Sequence, residues 1–348
     1  MYNSGILDYY LMWIINVEMY MDKLHFIVNP VAGGTSAIDK FGAVKGMLDD
    51  MRFPYTYEFT QCKGHGRELA RAAAEHGEKY IIAVGGDGTV NEVASGLVGT
   101  DTVMGILPFG TGNDMVKVLG IPTEPREALN VILADRPRAM DAGYVNDRFF
   151  VNVSGFGFDV DVLLKHEKYK KRFKGMLPYL LGIVDALTHL RTLHLTLHDG
   201  ERVWKKDALI VSVGNGAYIG GGMKATPFAD PFDGLFEVSV VSSISRAKFL
   251  RLLPSFINSL AWPLPVVYRH SKLLPLLSIW GSSSSKSFLD LPEPDTGFTI
   301  KKRSHIVKCL LLLCICRSHI LLHQHLYGAR YYFIPYRHTG AQFAIVVY

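Results

Sequence analysis

The sequence predicts an α/β protein, with a doubly wound, Rossmann-like N-terminal domain followed by a mainly antiparallel β C-terminal domain. In the first half, short apolar runs alternate with glycine-rich loops and helical patterns, which is typical of a parallel sheet covered by helices. After Arg138 the pattern changes to pairs of strand-like segments separated by turn residues, as in antiparallel hairpins. These two observations define both the fold class and the division of the chain.

The chain of 348 residues is long enough for two domains, at ~100–200 residues for each. Residues 21–145 are expected to form the α/β domain and residues 146–260 the β-rich domain. Residues 1–20 are interpreted as a non-native or disordered extension, because Met21 directly precedes the first convincing strand and no basic segment marks a signal peptide. Residues 261–348 form an atypical tail.

The composition favours a soluble globular protein in the cytoplasm, with 49% hydrophobic and 20% charged residues. The net charge of +5 permits contact with anionic membranes or nucleotides but does not require nucleic acid. The four cysteines show no pairing framework, so a reducing compartment is expected, and the Cys-x-Cys of the tail is interpreted as incidental thiols. The apolar run in the tail is far shorter than the ~20 residues that span a bilayer, so no transmembrane anchor is expected.

Three apolar runs predict strands of the first domain, at Leu24–Val28, Tyr80–Val84 and Val103–Leu107, and the alternating segment Tyr55–Phe59 predicts another. Helices are expected at residues 66–77, 90–97 and 114–119, the first of them rich in alanine. Another helix is expected after the first strand, with Thr35 or Ser36 as its N-cap.

A glycine-rich loop follows three of these strands, and the most informative is Gly85-Gly86-Asp87-Gly88-Thr89. Glycines let the backbone approach a polyphosphate closely and direct its N–H groups toward it. An ordinary strand-to-helix turn needs one glycine and no acid, so phosphate binding is the preferred interpretation. Because parallel strands end at the same edge of a sheet, the three loops are expected to converge there.

Two acids, Asp87 and Asp114, lie in these loops. A carboxylate beside a polyphosphate normally requires Mg²⁺ or a reacting hydroxyl between them, because like charges repel. One of the two could hold a metal-bound phosphate, and the other could orient or deprotonate an acceptor alcohol. The alternative for Asp114 is an acid at a helix N-terminus, stabilised by the helix dipole.

The second half is expected to contain mainly strands: a hairpin at residues 144–149 around an Asn-Asp turn, a second hairpin of residues 194–198 and the segment from Val203 onward around an Asp-Gly turn, and further strands at 208–213 and 236–241. A helical stretch is expected at Val160–Leu190, and it includes a run of lysines and arginines. This basic run is either a solvated helix face or an anchor on anionic lipid. Asp230 and Asp233, in a Gly/Pro turn, could bind a hard cation or simply form a good turn.

Several enzyme classes lose their main support, because the sequence contains no GxSxG elbow, HExxH helix or Walker A motif. The loop at residues 85–89 also lacks the GxGxxG spacing of a dinucleotide site.

The ordered motifs resemble those of the diacylglycerol kinase and sphingosine kinase superfamily, and in particular the soluble bacterial diacylglycerol kinases. In the first domain the resemblance lies in Asn29-Pro-x-Ala-Gly-Gly, Gly85-Gly-Asp-Gly-Thr-Val-Asn-Glu-Val and Pro108-Phe-Gly-Thr-Gly-Asn-Asp. In the second it lies in Asp141-Ala-Gly, Asn152-Val-Ser-Gly-Phe-Gly-Phe-Asp and Asp230-Pro-x-Asp-Gly-Leu-Phe-Glu-Val. It covers roughly residues 23–256.

This resemblance implies transfer of the γ-phosphoryl group of ATP to a lipid hydroxyl with Mg²⁺, most simply from diacylglycerol to phosphatidic acid, by a cytoplasmic enzyme that contacts the membrane peripherally. The implied catalytic acids are Asp87, Asp114 and Asp141. The implied ATP-binding residues are Asn29, Gly33, Gly34, Gly85, Gly86, Gly88, Thr89, Asn91, Glu92, Gly110, Thr111, Gly112 and Asn113. The implied Mg²⁺ ligands are Asp230, Asp233 and the carbonyl of Leu235. A homodimer is compatible with base rates.

The sequence departs from the family after Phe256. Family members continue with further β-strands and an Asp-Gly-Glu segment whose Glu is thought to act as general base, and no such segment follows Phe256 here. The residue pattern from about Ala261 resembles translation in a shifted reading frame; if the tail is real as written, the base and the closing strands are missing. Two alternatives therefore stay open: an enzyme like NAD kinase, which shares the Gly-Gly-Asp-Gly-Thr element, and a catalytically impaired nucleotide- or lipid-binding protein.

Overall fold

The computed structural model describes residues 21, 23–34, 37–145, 148–169, 171–173, 177–188, 190, 192–198, 203–257, 267–273, 276–282 and 297–310. In the first unit, strands and helices alternate as predicted. The strands are β1 (Leu24–Val28), β2 (Tyr55–Phe59), β3 (Tyr80–Gly85) and β4 (Val103–Pro108). The helices are α1 (Ala37–Asp50), α2 (His65–Glu75), α3 (Asp87–Leu97), α4 (Asp114–Leu119) and α5 (Pro125–Leu133). The predicted N-cap, Thr35 or Ser36, lies outside the described residues.

These four strands form a parallel sheet in the order β4-β3-β1-β2. Strands β1 and β3 are buried along their whole length, as expected for central strands of a sheet covered on both faces. Strand β2 has the predicted bounds, but its burial does not alternate, because it lies at the sheet edge and its last four residues are exposed. The helix predicted at residues 90–97 is confirmed as part of α3, whose Val90, Val93, Ala94 and Leu97 all belong to the buried core.

The second unit is mainly antiparallel, as predicted. Its strands are β5 (Pro137–Val145), β6 (Arg148–Phe150), β7 (Val153–Gly157), β8 (Leu193–His198), β9 (Val203–Gly214), β10 (Tyr218–Ile219), β11 (Met223–Lys224) and β12 (Phe236–Ser242). Its helices are α6 (Phe158–Tyr169), α7 (Leu177–Thr188) and α8 (Arg246–Ile257).

Both predicted hairpins are confirmed by antiparallel pairing, of β5 with β6 and of β8 with β9. Their turn residues, Asn146-Asp147 and Asp199-Gly200, lie outside the described residues. The separate strand expected at Ala208–Val213 is wrong, because these residues continue the strand that begins at Val203. The first half of β9 is largely exposed and rich in polar residues, so the apolar pattern revealed its second half alone.

The expectation that the tail lacks closing strands is also wrong. The described part of the tail contains β13 (Val267–Leu273), β14 (Leu276–Ser282) and β15 (Gly297–Leu310). Strand β15 pairs in parallel with β4 and antiparallel with β5 and β14, so it connects the sheets of the two units. Backbone hydrogen bonds to β4, β5 and β14 hold β15 in the sheet, so its sequence needs no regular alternation of apolar and polar side chains. Among the described residues, no helix combines the length and apolarity needed to cross a membrane.

Candidate active site

The loops that follow β1, β3 and β4 meet at one edge of the parallel sheet, as predicted. The side-chain amide of Asn29 donates a hydrogen bond to Oγ1 of Thr89 over 3.0 Å, which connects the first loop to α3. The backbone N–H of Asn29 donates to the carbonyl of Val84. The carbonyl of Gly85 accepts from the backbone N–H of Phe109 and of Gly110, at 2.9 and 3.1 Å. These bonds tie all three loops together.

Glycine is required where the loops touch. A Cβ atom at Gly110 would collide with the Cα of Gly86, so the second and third loops pack backbone against backbone. A Cβ at Gly33 would collide with the carbonyl oxygen of Phe109, and Gly33 also has a φ of 60°. A Cβ at Gly85 would collide with the Thr89 side chain. These glycines therefore bring the loops together, besides leaving room for a ligand.

Asp87 and Asp114 flank Gly112. A Cβ atom at Gly112 would lie 2.9 Å from Oδ2 of Asp87 and 3.6 Å from Oδ2 of Asp114. Burial raises the pKa of Asp87 above its usual range, and the negative charge of Asp114 adds to this effect. Backbone hydrogen bonds, including the 3.0 Å bond from the N–H of Met115 to Oδ1, oppose the shift in part. Two carboxylates this close have the chemistry of a Mg²⁺ site, because a hard cation between them would remove their repulsion.

Asp114 is buried, and its two oxygens have different partners. Nζ of Lys117 donates to Oδ1 over 3.1 Å, one helical turn away. The backbone N–H of Gly221 donates to Oδ2 over 2.8 Å, so a loop of the second unit reaches the site. This loop contains three consecutive glycines with positive φ, Gly220, Gly221 and Gly222. Asp114 is therefore more than a helix N-terminal acid, since it joins the two units.

The rest of the third loop is shaped by Asn113. This residue is buried, has a φ of 51°, and its amide donates to the carbonyls of Pro108 and Gly110. Thr111 is exposed at the tip of the same loop. In the first two loops, a Cβ at Gly34 or at Gly88 would meet no atom within 4 Å, which leaves open space beside both.

Two predicted ATP-binding residues have partners away from the loops. The amide of Asn91 donates to the carbonyl of Phe149 in β6, over 3.5 Å. The carboxylate of Glu92 accepts from the backbone N–H groups of Gly64 and Gly66 at the start of α2, over 2.8 and 3.2 Å. Their observed contacts hold α3 in place, and the structure does not bring these two side chains together with the phosphate-type loops.

Asp141 is buried in β5 and bound to the predicted metal turn. Its Oδ2 accepts from the N–H of Gly234 over 2.7 Å, and its own N–H donates to the carbonyl of Pro231. Asp141 therefore supports the turn that contains Asp230 and Asp233, and its predicted role with the catalytic acids Asp87 and Asp114 stays a prediction. The side-chain amide of Asn215 donates to the carbonyl of Asp141 over 2.8 Å, which fixes the strand at this point.

Asp230 and Asp233 make the hydrogen bonds of a turn. Oδ1 of Asp230 accepts from the N–H of Phe232 over 3.0 Å, and Oδ1 of Asp233 accepts from the N–H of Leu235 over 2.8 Å. The guanidinium of Arg138 stacks over the Phe232 ring, 3.7 Å from its centroid. Within the described residues, no group of three or more His, Cys, Asp or Glu side chains is arranged to hold a metal. The arrangement agrees with the alternative of a well-formed turn, and a metal role for Asp230, Asp233 and the Leu235 carbonyl stays a prediction.

Sequence reasoning missed Lys117 as part of this site. Its position one turn after Asp114 is a signal that could have found it, because residues three apart on a helix are neighbours. The contact of Gly221 with Asp114 joins residues that lie 107 positions apart, and no local pattern indicates it.

Comparison with known proteins finds a matching family model for each of the two units. Residues 23–145 match the family model of the diacylglycerol kinase catalytic domain, and residues 152–267 match that of the YegS C-terminal NAD kinase beta sandwich-like domain. A protein from Chromohalobacter salexigens named "Probable lipid kinase YegS-like" is 37% identical over 196 residues, which are 55% of this chain and 62% of that protein. A "Diacylglycerol kinase" from Mycobacterium tuberculosis (strain H37Rv) is 31% identical over 243 residues, 67% of this chain and 77% of that protein.

The fold is shared with solved structures. The crystal structure of a diacylglycerol kinase from Bacillus anthracis strain Sterne superimposes with a TM-score of 0.65 at 22% sequence identity, covering 85% of this chain and 99% of that chain. At this identity the similarity establishes the fold. The two domain matches and the sequence relatives establish more: this chain belongs to the diacylglycerol kinase and YegS-like family of lipid kinases.

Proposed function

We propose that the chain transfers the γ-phosphoryl group of ATP to the free hydroxyl of diacylglycerol, with Mg²⁺, and releases ADP and phosphatidic acid. The observation that supports this most directly is the pair Asp87 and Asp114 around Gly112, at the edge where the three glycine loops meet. The names of relatives such as the diacylglycerol kinase from Mycobacterium tuberculosis support the acceptor.

The loops are suited to bind a triphosphate. Gly34 and Gly88 border open space, and Gly88 lies in the first turn of α3, where unpaired N–H groups and the helix dipole favour anions. Lys117 adds a cation beside Asp114. In this proposal Asn29 holds Thr89 and so keeps the first two loops in register around the phosphates.

In this proposal the carboxylates of Asp87 and Asp114 have different roles. When bound, Mg²⁺ supplies positive charge that offsets the charge of the phosphate oxygens. Asp114, which is held by Lys117 and Gly221, is placed to hold a cation. Asp87, whose carboxylate lies beside Gly112 where the loops meet, takes the proton from the acceptor hydroxyl while the new O–P bond forms and the bond to ADP breaks, and the burial that raises its pKa favours this proton uptake.

Mixed micelles of detergent and diacylglycerol provide the decisive assay. With radiolabelled ATP and Mg²⁺, the purified protein should form labelled phosphatidic acid, and Asp87→Asn should lower the rate at least about 100-fold. Asp50→Asn, which changes an exposed acid at the end of α1, serves as the control and should leave the rate unchanged. A panel of other lipid alcohols, including sphingoid bases, identifies the preferred acceptor; absence of any lipid product would refute the proposal.

NAD is a second candidate acceptor, because the model that matches residues 152–267 is described as NAD kinase-like. Faster phosphorylation of NAD than of any lipid would favour this alternative. Since no Asp-Gly-Glu follows Phe256, a nucleotide-binding protein without turnover is the remaining alternative. Calorimetry with ATP and Mg²⁺ that detects binding, together with no product at high enzyme concentration, would identify it.

A further inference from the structure

Strands β10 and β11 form a small hairpin that stands apart from the main sheet. Among the described strands they pair only with each other, and three glycines, Gly220–Gly222, connect them. The N–H of Gly222 donates to the carbonyl of Ile219 over 3.2 Å, which closes the turn. The N–H of Gly221 donates instead to Oδ2 of Asp114, over 2.8 Å. The hairpin tip therefore makes a charge-assisted hydrogen bond to an acid of the candidate active site.

Buried polar groups of the second unit hold the base of this hairpin. The side-chain amide of Asn152 donates to the carbonyl of Tyr218 over 2.9 Å, and Oγ1 of Thr226 donates to the carbonyl of Gly216 over 2.7 Å. Both side chains belong to buried residues. A hairpin this short is not stable by itself, so these bonds fix its direction toward Asp114.

The hairpin tip lies between Asp114 and solvent. Gly220 and Gly221 are exposed, whereas Asp114 is buried. A Cβ atom at Gly222 would lie 3.3 Å from Nζ of Lys117, which donates to the other oxygen of Asp114. The tip thus lies against both members of this ion pair. Each oxygen of Asp114 has one protein donor and keeps a second lone pair for a cation.

The backbone angle, and not the available space, requires glycine at position 221. Gly221 has a φ of 92°, and a Cβ there would meet its nearest atom, the Cα of Gly112, at 4.0 Å. A residue with a side chain is strained at this φ. Rotation of φ relieves the strain, and the same rotation turns the N–H away from Asp114. Position 221 therefore links the conformation of the hairpin tip to the orientation of the Asp114 carboxylate.

We propose that Gly221 is a positioning residue for phosphoryl transfer: its N–H fixes the carboxylate of Asp114 in the orientation that binds the cation of the nucleotide. Because this donor belongs to the second unit, Asp114 is correctly oriented only while the hairpin contacts α4. The inference rests on the proposed function in one respect, that Asp114 holds Mg²⁺. Removal of a group that orients a metal ligand changes metal affinity or activity by about 10- to 100-fold.

Hydrogen exchange in the protein without ligands tests the contact itself. The Gly221 amide is followed by NMR in protein that contains isotope-labelled glycine. An exposed glycine amide without a partner exchanges rapidly with water, so slow exchange reports the hydrogen bond. In Asp114→Ala the exchange should become at least about tenfold faster, whereas Asp50→Ala, at an exposed position on α1, should leave it unchanged. Equal exchange in the unchanged protein and in Asp114→Ala would overturn the proposal.

A matched pair of glycine variants tests the consequence for the cation. Gly77, after α2, has a φ of 88° and no atom within 4 Å of a Cβ, so Gly77→Ala introduces the same backbone strain as Gly221→Ala. Both variants should therefore lose a similar amount of Tm. The ADP-dependent binding of Mn²⁺, measured by electron paramagnetic resonance, should weaken at least about tenfold in Gly221→Ala and stay unchanged in Gly77→Ala. Equal Mn²⁺ affinity in the two variants would overturn the proposal.

The same pair separates this proposal from the proposed function. In the micelle assay, the Mg²⁺ concentration that gives half the maximal rate should rise at least about tenfold in Gly221→Ala alone. Loss of folded protein would lower the rate without changing this concentration. Lipid phosphorylation with the same Mg²⁺ dependence in both glycine variants would refute the positioning role alone. Faster exchange in Asp114→Ala and weaker Mn²⁺ binding in Gly221→Ala, without any lipid product from the unchanged protein, would refute the proposed function alone.

Discussion

The surroundings of Asp87 disfavour the charged form of its carboxylate. It lies at the start of α3 and faces Asp114 across Gly112, and burial raises its pKa. An acid with a raised pKa in the folded state makes the fold less stable once it ionises. Such a residue is not explained by stability, which is consistent with a role in catalysis.

The first prediction is that Asp87→Asn stabilises the protein while it abolishes activity. The amide has a similar shape and carries no charge. Because the folded pKa of Asp87 is raised, the wild-type protein loses stability as pH rises through that pKa, and the variant does not. The Tm of the variant should therefore exceed that of the wild type at pH 7, and the difference should shrink as pH falls toward the usual range of an aspartate. Calorimetry across this pH range measures it; a lower Tm for the variant at pH 7 would contradict the prediction.

The second prediction concerns Gly112, whose missing side chain leaves room between the two carboxylates. In Gly112→Ala the new methyl group would lie 2.9 Å from Oδ2 of Asp87 and would displace that carboxylate. The contact is with the end of a side chain, so the fold should be kept while the phosphorylation rate falls at least about 100-fold. Gly46→Ala in α1 meets no atom within 4 Å and should keep full activity with slightly higher stability. Equal rates for both variants would argue against the site.

The sequence could identify the acids but not their surroundings. Asp87 and Asp114 stand out because glycines precede them in loops after apolar runs, and this pattern is local. Lys117 and Gly221 contact Asp114 only because the chain folds. A pattern in one sequence also cannot show whether a polar residue such as Glu92 binds a ligand or the start of a neighbouring helix, where the structure places it.

At the scale of elements, the bounds of strands that are apolar throughout were predicted to within one or two residues. A strand with one exposed, polar half and one buried half was not predicted as a single element. The bounds of β1 agree with its apolar run, and β3 and β4 each extend one residue beyond theirs. In β9, Lys205, Lys206 and Asp207 lie in the exposed half, whereas the half from Ala208 is mostly buried. Because burial there depends on β7 and β12, which pair with that half alone, the sequence of β9 by itself could not reveal one continuous strand.

The third prediction concerns Asn215, which follows β9 and connects it to β5. Its buried amide donates to the carbonyls of Asp141 and Val151, over 2.8 and 2.7 Å. Asn215→Leu would leave both carbonyls without this donor in the interior, and the free energy of unfolding should fall by about 2–4 kcal/mol. Urea denaturation gives this value directly. Asn130→Leu, at an exposed position on α5, is the control and should change stability by less than about 0.5 kcal/mol.

For the whole molecule, β15 gives the tail a structural role that the sequence did not indicate. It pairs with β4 of the first unit and with β5 and β14 of the second. The pairing changes from parallel to antiparallel at β5, and the hydrogen bonds of β15 join the strands of both units.

The fourth prediction is that the tail cannot be removed without harm. A chain ending at Ile257 would lack β13, β14 and β15 and would expose the backbone edges of β4, β5 and β12. Unpaired edges favour association with other chains, so the shortened protein should aggregate in size-exclusion chromatography and unfold at lower temperature. A shortened protein that stays monomeric with unchanged Tm would instead support the hypothesis of a shifted reading frame after Ala261.

The contact between Gly86 and Gly110 limits how this site can vary. Most close packing contacts in proteins tolerate paired substitutions, because a larger residue on one side is compensated by a smaller residue on the other. Here a Cβ atom at Gly110 would lie only 2.3 Å from the Cα of Gly86. Since no amino acid is smaller than glycine, no substitution at Gly86 can make room for a side chain at Gly110, and the two loops would have to separate.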